Sequence, residues 1–386
     1  MPFTETTVTR ERREFVEAAM VAAVAGVSLR ELCQRFRISE VTGRKWRRRF
    51  LEEGVAGLED RSRRPHHQPA RVAAEVEAQI CDAARAHEAW GAAKLRRWLL
   101  DRGYVMPATS TVHQVLRRHD VPRIAGAAPA ARLRFELPVP NALWQMDFKG
   151  HIPLTKGGRC HPLTVLDDHS RFNLVLASCG DERRQTVEAQ LTLAFQRYGL
   201  PDRMLMDNGA PWGYTADRGY TRLGAWLMRL GVEVTHGRPY HPQTQGKEER
   251  FHRTLKLEVL ARRPWPDLVT VQHAFDAWRD LYNFERPHAA LGLATPSTRY
   301  VPSAISFPGA LPAIAYGPDD LVRIVADHGQ VRFRGREYLV SRAFRGQPVG
   351  LRMAGDGVWD VYYCHQRVAR IDLSCGPNEG NDVSER

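Results

Sequence analysis

The stretch LWQMDFKGHIPLTKGGRCHPLTVLDDHSRFNLVLASC, residues 143–179, decides the fold of the largest part of this chain. It contains three short runs rich in β-branched, aromatic and aliphatic residues: LWQMDFKG (143–150), PLTVLDDHS (162–170) and RFNLVLASC (171–179). Glycine, proline and an Asp-Asp-His sequence separate these runs, and such residues favour turns. The pattern therefore predicts three consecutive β-strands.

Helical and strand patterns alternate after these three strands. Apolar residues at helical spacing fill residues 183–198 and 220–230, whereas RMLMDNG (203–209) and VEVTHG (232–237) have the composition of strands. Strands and helices in this order predict a mixed five-stranded α/β sheet with helices packed on it. We expect this α/β domain to occupy residues 139–305.

Two aspartates come at the ends of predicted strands. Asp147 lies where the first strand ends, and Asp207 ends the fourth strand. The carboxyl ends of strands are where α/β sheets build their sites, and the first and fourth strands can be neighbours. Phosphodiester chemistry with two Mg²⁺ ions requires carboxylates that converge on both metals. Each aspartate taken alone is more typical of a turn at a strand end, so that alternative stays open at this point.

A charged helix supplies a third carboxylate. The segment GKEERFHRTLKLE (246–258) has helical spacing and begins with two adjacent glutamates. On a helix with about 3.6 residues per turn, Glu249, Arg253 and Lys256 share one face. Glu248 points about 100° away, onto the stripe that also carries His252. We expect Glu249 to be a metal ligand and the basic residues to hold substrate phosphates. The alternative is a solvent-exposed helix with internal ion pairs.

The amino-terminal residues 10–60 have the pattern of a helix-turn-helix domain with three short amphipathic segments. Ser28 and Ser39 are predicted to cap the second and third helices. In the third helix, Trp46 is expected to pack inward while the basic side chains contact DNA phosphates. Those basic residues are Arg44, Lys45, Arg47, Arg48 and Arg49. A solvated basic helix without a ligand is the alternative.

Residues 70–121 contain three more amphipathic segments, which predict a second DNA-binding domain of the helix-turn-helix or winged type. Thr109 or Ser110 is available to cap the last helix, which ends in the basic residues Arg117 and Arg118. Two DNA-binding domains in tandem suit an extended DNA site better than a single contact.

The remaining segments are a linker, a β-rich domain and a tail. Residues 122–138 are rich in proline, alanine and arginine, which is typical of a linker. Short strand patterns with glycine turns fill residues 316–374 and predict a small all-β barrel. Residues 375–386 lack periodic apolar positions and are expected to be disordered.

Composition and charge restrict the class of protein. The chain of 386 residues is 43% hydrophobic and has a formal net charge of +12, which favours a globular protein that binds a polyanion. The start has no apolar segment of signal-peptide length, and no segment has the roughly 18 apolar residues of a membrane span. We therefore expect a cytoplasmic protein without a membrane partner. The six cysteines include no C-x-x-C pair, so no zinc module or disulfide framework is predicted.

Four ordered motifs resemble the integrase catalytic core of bacterial insertion-sequence transposases, which is akin to retroviral integrases. The motifs are WQMDFKG (144–150), LMDNGAPW (205–212), HPQTQGKEERFHRTLKLE (241–258) and YNFERPHAALGLATPSTRY (282–300). The resemblance covers roughly residues 20–305 and implies an RNase-H-like fold. Carried over residue by residue, the D-D-E triad of the family falls on Asp147, Asp207 and Glu249, with Gly246 fixing the register.

The resemblance also implies cofactors and partners. The helix-turn-helix domains would bind the terminal inverted repeats of a mobile element in double-stranded DNA, and a homo-oligomer, a dimer or tetramer, would hold both ends and the target DNA. The triad would use two Mg²⁺ ions, for which Mn²⁺ can substitute. Residues that could line the site in nearby loops are Asn208, His241, Gln243 and Gln245. No small-molecule substrate is expected.

Two features depart from the family pattern. The interval between Asp207 and Glu249 is longer than usual, and residues 213–222 look like the insertion responsible. An insertion before the helix need not disturb the site. Glu248 adds a second carboxylate beside the expected ligand, at a position where many relatives have an uncharged residue.

Together these observations predict a DNA transposase that cleaves and joins DNA strands on the bacterial nucleoid. A catalytically inactive DNA-binding regulator would require a broken triad, whereas all three carboxylates are present in order. A hydrolytic nuclease of the same fold would explain the triad but would leave the tandem helix-turn-helix domains without a purpose.

Overall fold

The computed structural model describes residues 8–61, 72–122, 136–207, 209, 211–212, 220–236 and 246–374. The chain divides into two compact units, one ending at Arg71 and the other beginning at Val72. Several predictions concern residues outside these ranges. They are most of the expected linker, the expected tail at 375–386, and the expected loop residues Asn208, His241, Gln243 and Gln245. No helix in the described ranges is long and apolar enough to cross a membrane.

The first unit is a three-helix domain. Its helices are α1 (Val8–Val24), α2 (Leu29–Arg35) and α3 (Glu40–Glu53), and a 3₁₀ turn follows at Gly54–Leu58. Phe15, Leu32 and Trp46 are buried in one apolar cluster, so the inward orientation expected for Trp46 is confirmed. This arrangement leaves the basic side chains of α3 around a buried tryptophan.

The second unit begins with three further helices, α4 (Ala74–Ala86), α5 (Ala92–Asp101) and α6 (Thr109–Arg118). They enclose a small core in which Ile80 and Leu95 are fully buried. Leu281, which belongs to the α/β core, packs against this cluster, and Arg102 of α5 forms an ion pair with Glu285. The three helices therefore pack directly on the α/β core.

The helix caps follow the sequence prediction in the first unit and differ from it in the second. Ser28 and Ser39 accept hydrogen bonds from amides in the first turns of α2 and α3, which confirms both predicted caps. Ala108 is the cap residue of α6, and no side chain caps this helix, so the expectation that Thr109 or Ser110 caps it is wrong. The physical reason is that the helix begins at Thr109, after the non-helical backbone of Ala108 (φ −56°, ψ 152°), which places Thr109 and Ser110 inside the helix.

The α/β core contains a six-stranded mixed sheet. Its strands are β1 (Trp144–Phe148), β2 (Ile152–Pro153), β3 (Arg159–Asp167), β4 (Asn173–Cys179), β5 (Arg203–Met206) and β6 (Glu233–His236). β3 pairs antiparallel with β1, β2 and β4, whereas β1, β5 and β6 pair in parallel. The five predicted strands are confirmed, and β2 is a short additional strand. The core has the RNase-H-like topology that the sequence predicts.

Helices cover both faces of this sheet. α7 (Arg184–Tyr198) and α8 (Arg222–Arg229) lie on one face, and α9 (Gly246–Leu255) and α10 (Leu268–Asp280) lie on the other. Met146 of β1 packs in the cluster with α7 and α8, whereas Leu166 of β3 packs with Phe251 of α9. Asp147 follows Met146 along the strand and therefore points to the face that α9 covers.

Both helices on the α9 face continue as π-helical turns, at Lys256–Leu260 and Leu281–Glu285. Glu258, in the first of these turns, accepts hydrogen bonds from Nε and Nη2 of Arg286 at 3.0 and 2.9 Å. Trp278 donates to the same carboxylate at 2.9 Å. The two charged side chains are each only 7% exposed, so this ion pair joins the ends of α9 and α10 inside the core.

The carboxyl-terminal region is all β, as predicted. Its strands are β7 (Leu321–Ile324), β8 (Gln330–Phe333), β9 (Arg336–Leu339), β10 (Pro348–Gly355), β11 (Val358–Tyr363) and β12 (Gln366–Asp372). They form a four-stranded antiparallel sheet in the order β12-β11-β10-β7 and a separate β8–β9 hairpin. The described strands do not close into the predicted barrel, because β7 and β12 remain edge strands. Closure requires continuous pairing around the sheet, which local strand patterns do not determine.

We predict that Ser39→Ala weakens the first turn of α3. The substitution removes the side-chain acceptor of the Thr42 amide, which typically costs about 1 kcal/mol. Hydrogen exchange of the full chain, followed by mass spectrometry, should be faster in peptides that cover this turn. Ser110→Ala is the matched control, because no side chain caps α6, and exchange in α6 should not change. Equal effects of the two substitutions would contradict these cap assignments.

Candidate active site

Asp147 and Asp207 lie at the same level of two neighbouring strands. β1 and β5 run parallel, with Gln145 opposite Leu205. Continuing this register by two residues brings Asp147 of β1 level with Asp207, which directly follows the last residue of β5. The structure therefore brings the two predicted aspartates together at one edge of the sheet.

These two carboxyl groups share a partly dehydrated environment. Burial and the nearby charge of Asp207 raise the pKa of Asp147 to about 7. Burial also raises the pKa of Asp207, although the Gly209 amide donates a hydrogen bond to Oδ1 at 3.0 Å. A divalent cation beside both groups would offset the cost of holding two negative charges there. Oxygen donors of this kind fit a hard cation such as Mg²⁺.

Glu248 is the glutamate that packs beside Asp147. Its side chain is 1% exposed, and Oε2 lies 3.0 Å from the hydroxyl oxygen of Thr164. That hydroxyl donates a hydrogen bond to the backbone oxygen of Asp147 at 2.9 Å. Burial and the charge of Asp147 raise the pKa of Glu248 well above its usual value. The buried side chain therefore favours its neutral form.

His252 completes the buried cluster under Asp147. Its Nε2 lies 2.8 Å from the hydroxyl oxygen of Thr164, and its Nδ1 lies 3.8 Å from Oδ2 of Asp147. Burial lowers the pKa of His252 to about 3, so the ring is neutral at physiological pH. A hydroxyl group has one proton and two lone pairs. Thr164 can therefore donate to Asp147 and accept from both the Nε2–H of His252 and the O–H of neutral Glu248.

Glu249 lies on the exposed face of α9. Arg253 and Lys256 are exposed as well, whereas the buried face carries Glu248 and His252, as the helical spacing predicts. Glu249 forms no hydrogen bond or ion pair with other described residues. The two adjacent glutamates thus have different surroundings, and Glu248 is the one in contact with the cluster under Asp147.

The basic residues of α3 also differ in their surroundings. Arg44, Lys45 and Arg48 are exposed and Arg47 is half-buried. Arg49 is 6% exposed, and its guanidinium group lies 4.9 Å from the ring centre of Trp46. It also donates a hydrogen bond to the backbone oxygen of Glu59. Arg49 therefore stabilises the domain from inside, and the other four basic residues remain on or near its surface.

Both arginines at the end of α6, Arg117 and Arg118, are exposed, but Arg118 also forms an ion pair. Arg118 lies 2.6 Å from the carboxylate of Glu77, which also contacts His119 at 2.7 Å. The Glu77 side chain is only 6% exposed, so Arg118 joins α6 to α4 within the domain.

The sequence patterns did not identify Thr164 as a site residue. A single threonine within an apolar strand is a weak signal, because threonine is common in strands. The pairing of β1 with β3 would have identified it, since Thr164 lies directly opposite Asp147 in that register.

Family models match most of the chain in successive segments. Two models described as integrase core domain match residues 138–242 and 230–296. A helix-turn-helix domain matches residues 11–66, and a homeodomain-like domain matches residues 42–116. The C-terminal domain of IS481 family transposases matches residues 320–377. No single family model covers half of the chain; segment by segment, the chain is similar to integrase cores and to IS481 family transposases.

Similar proteins come from retroviruses and from a bacterial insertion element. The Gag-Pro-Pol polyprotein of Simian retrovirus SRV-2 is 33% identical over 129 residues, which are 33% of this chain and 7% of that protein. The insertion element IS407 uncharacterized 31.7 kDa protein of Burkholderia multivorans is 28% identical over 158 residues, 41% of this chain and 54% of that protein. The match thus spans less than two thirds of either relative.

Among solved structures, one chain of a simian T-cell lymphotropic virus intasome, in complex with PP2A regulatory subunit B56 gamma, is similar to this chain. The match covers 80% of this chain and 100% of that chain, with 15% sequence identity and a TM-score of 0.39.

No group of three or more His, Cys, Asp or Glu side chains in the described part of the chain is arranged to hold a metal ion. Asp147 and Asp207 are the part of the site that fits a divalent cation, because their raised pKa values reflect a site that positive charge would relieve.

We predict that Glu248→Gln removes a pH-dependent loss of stability. The pKa of Glu248 is raised in the folded state, so its contribution to stability is fully present below the pKa of about 4.3 in the unfolded chain. That contribution is lost as pH rises through the folded-state pKa. Glutamine has the shape of neutral glutamic acid and no proton to lose. Thermal unfolding in EDTA between about pH 5 and 8 should therefore show a smaller decrease in melting temperature for the variant.

Glu249→Gln is the control for this experiment, because Glu249 is exposed on the same helix turn. It should retain the pH dependence of the wild type. Identical pH dependence in all three proteins would contradict the buried, neutral state of Glu248.

Proposed function

We propose that this chain is a DNA transposase that binds the terminal inverted repeats of a mobile element and catalyses Mg²⁺-dependent strand cleavage and strand transfer. One observation carries the proposal: Asp147 and Asp207 lie level on neighbouring parallel strands, and both have raised pKa values. Carboxylates gathered in this way suit phosphodiester chemistry with divalent metals. The matched domains, two for DNA binding and one integrase core, support the same reaction.

Asp147, Asp207 and Glu249 would hold two Mg²⁺ ions, with Mn²⁺ as a substitute. When bound, such ions activate the attacking oxygen and stabilise the leaving oxygen of the phosphodiester. The chain itself supplies the positions: the pairing of β1 with β5 fixes the aspartates, and α9 presents the glutamate. The attacking group is water or a DNA 3′-hydroxyl, and no covalent bond between protein and DNA is needed.

Glu249 is the better third ligand of the two glutamates. It is exposed, so a hydrated cation and DNA can reach it. Glu248 is 1% exposed, and its Oε2 is engaged with the hydroxyl group of Thr164 inside the core. We infer that Glu248 instead supports Asp147 through the hydroxyl group of Thr164.

The exposed cations of the chain would bind the DNA backbone. Arg253 and Lys256 are exposed on the helix that carries Glu249, and they would hold phosphates near the metals. The element ends would be held by basic residues of α3 and α6, namely Arg44, Lys45, Arg47, Arg48 and Arg117. Arg49 and Arg118 would contribute less, because each is engaged within its own domain. A dimer or tetramer would bring both ends and the target DNA together.

We predict that Glu249→Gln abolishes strand transfer and that Glu248→Gln retains it. The assay uses labelled duplexes with the DNA that flanks this reading frame, in Mg²⁺ or Mn²⁺. Loss of a metal ligand should lower the rate by more than the roughly 10–100-fold typical for residues that support a ligand. Glu248→Gln copies the neutral form of Glu248 and should stay within about tenfold of the wild type.

Other outcomes of this assay assign other functions. The reverse result for the two variants would make Glu248 the third ligand. A wild type that binds DNA but forms no product in either metal would favour the inactive regulator. Cut DNA without joined or circular products would favour a hydrolytic nuclease.

We predict that binding to element-end DNA weakens steeply as salt increases. A protein with six to ten phosphate contacts loses roughly 10³–10⁵ in affinity between about 50 and 200 mM salt. Fluorescence anisotropy at several salt concentrations measures the slope. Lys45→Met should reduce the slope by about one, whereas Arg85→Gln on α4, which is not among the proposed contacts, should not. A flat salt response would contradict a phosphate-dominated interface.

A further inference from the structure

Asp168 is a buried carboxylate that the proposed chemistry does not use. Its side chain is 0% exposed. Gln145 donates a hydrogen bond from Nε2 to Oδ1 at 2.7 Å, and the Leu137 amide donates to Oδ2 at 2.9 Å. Lys247, which is 15% exposed, forms an ion pair with Oδ1. A buried carboxylate is costly unless its oxygens are bonded and its charge is paired, and these contacts meet both conditions.

The partners of Asp168 belong to the two elements that carry the proposed catalytic carboxylates. Gln145 is in β1, two residues before Asp147, so both side chains are on the same face of the strand. Lys247 is in the first turn of α9, directly before Glu248 and Glu249. One buried carboxylate therefore joins β1 to the start of α9.

The contact between Lys247 and Asp168 bears on the rotation of the first turn of α9. Successive residues on an α-helix are about 100° apart. With Lys247 held by Asp168, Glu248 faces Thr164 and Glu249 is directed to the exposed face. The first turn of a helix lacks intrahelical partners for its amides, and helix ends fray. An anchor at this position therefore affects both glutamates.

The simpler explanation of the Asp168–Lys247 ion pair is that it only stabilises the fold. Buried ion pairs are a weak source of stability, however, because desolvation opposes the attraction between the charges. The core contains a second Lys–Asp pair, Lys156 with Asp267 at 2.7 Å, whose side chains are 70% and 36% exposed. The Asp168–Lys247 pair differs from it in two ways. It is buried, and it contacts both β1 and α9 beside the proposed catalytic residues. Contacts behind metal ligands commonly orient those ligands.

We propose that Asp168 and Lys247 are positioning residues of the active site: their buried ion pair holds the first turn of α9 against β1 and thereby places Glu249 relative to Asp147. The inference rests on the proposed function, since it assigns the pair to the site of that reaction. Asp168 and Lys247 act through the backbone of β1 and α9, without touching the reacting atoms.

The test compares the wild type with the double variant Asp168→Asn/Lys247→Met. An unpaired buried charge is strongly destabilising, and it arises when only one partner of a buried ion pair is removed. Removing both charges together avoids it. The matched control is Lys156→Met/Asp267→Asn, which removes the exposed pair of the same residue types.

Two measurements on the full chain report on the position of α9. The first is binding of Mn²⁺ alone, measured by calorimetric titration, and the double variant should bind at least about tenfold more weakly than the wild type. The second is hydrogen exchange in the peptide covering residues 246–251, which should be faster in the double variant. The control should match the wild type in both. A merely structural pair would lower the melting temperature and leave Mn²⁺ affinity unchanged.

The outcomes separate this inference from the proposed function. Unchanged Mn²⁺ affinity and exchange in a folded double variant would overturn the inference, and a wild type that binds no Mn²⁺ would overturn both. Absent strand transfer by the wild type, together with weaker Mn²⁺ binding by the double variant, would refute the proposed function alone. If the double variant does not fold, Asp168→Asn alone replaces it, because Lys247 is partly exposed and can turn to solvent: weaker Mn²⁺ binding supports the inference, and wild-type binding overturns it.

Discussion

The parallel pairing of β1 with β5 is the constraint on which the rest of the candidate site depends. It sets Asp147 and Asp207 at the same level and on the same face of the sheet. Burial removes much of the water that would stabilise these carboxylates, and they also repel each other, which is why the pKa of Asp147 rises to about 7.

α9 places its two adjacent glutamates in different environments beside these aspartates. Glu248 lies inside, in its neutral form, and shares the hydroxyl group of Thr164 with the neutral ring of His252. Glu249 lies outside, where water screens its charge. The helix thus brings two carboxyl groups to a negatively charged edge while adding only one exposed charge. Because residues on a helix are about 100° apart, one turn is enough to separate the two roles.

The sequence predicted the elements of this protein better than the contacts between them. Runs rich in β-branched, aromatic and aliphatic residues predicted the strands of the core, and Asp147 and Asp207 were expected at the ends of two strands that can be neighbours. The barrel expected at residues 316–374 is absent among the described strands, because pairing between distant strands depends on register that no local pattern contains. The predicted cap of α6 was also wrong. Ala108, which has no hydrogen-bonding side chain, is the cap residue of this helix.

The same limit explains why the environment of Glu248 could not be predicted. Helical spacing correctly separates Glu248 and His252 from Glu249 and Arg253, but spacing does not show which stripe faces the sheet. Tertiary contacts decide that rotation, and one of them, at Lys247 beside the glutamates, comes from an Asp-Asp sequence that patterns assign to a turn. Asp167 does serve the turn, by accepting hydrogen bonds from the amide and hydroxyl of Ser170. Asp168 instead points inward to Lys247, so one of two identical neighbours shapes a loop and the other orients α9.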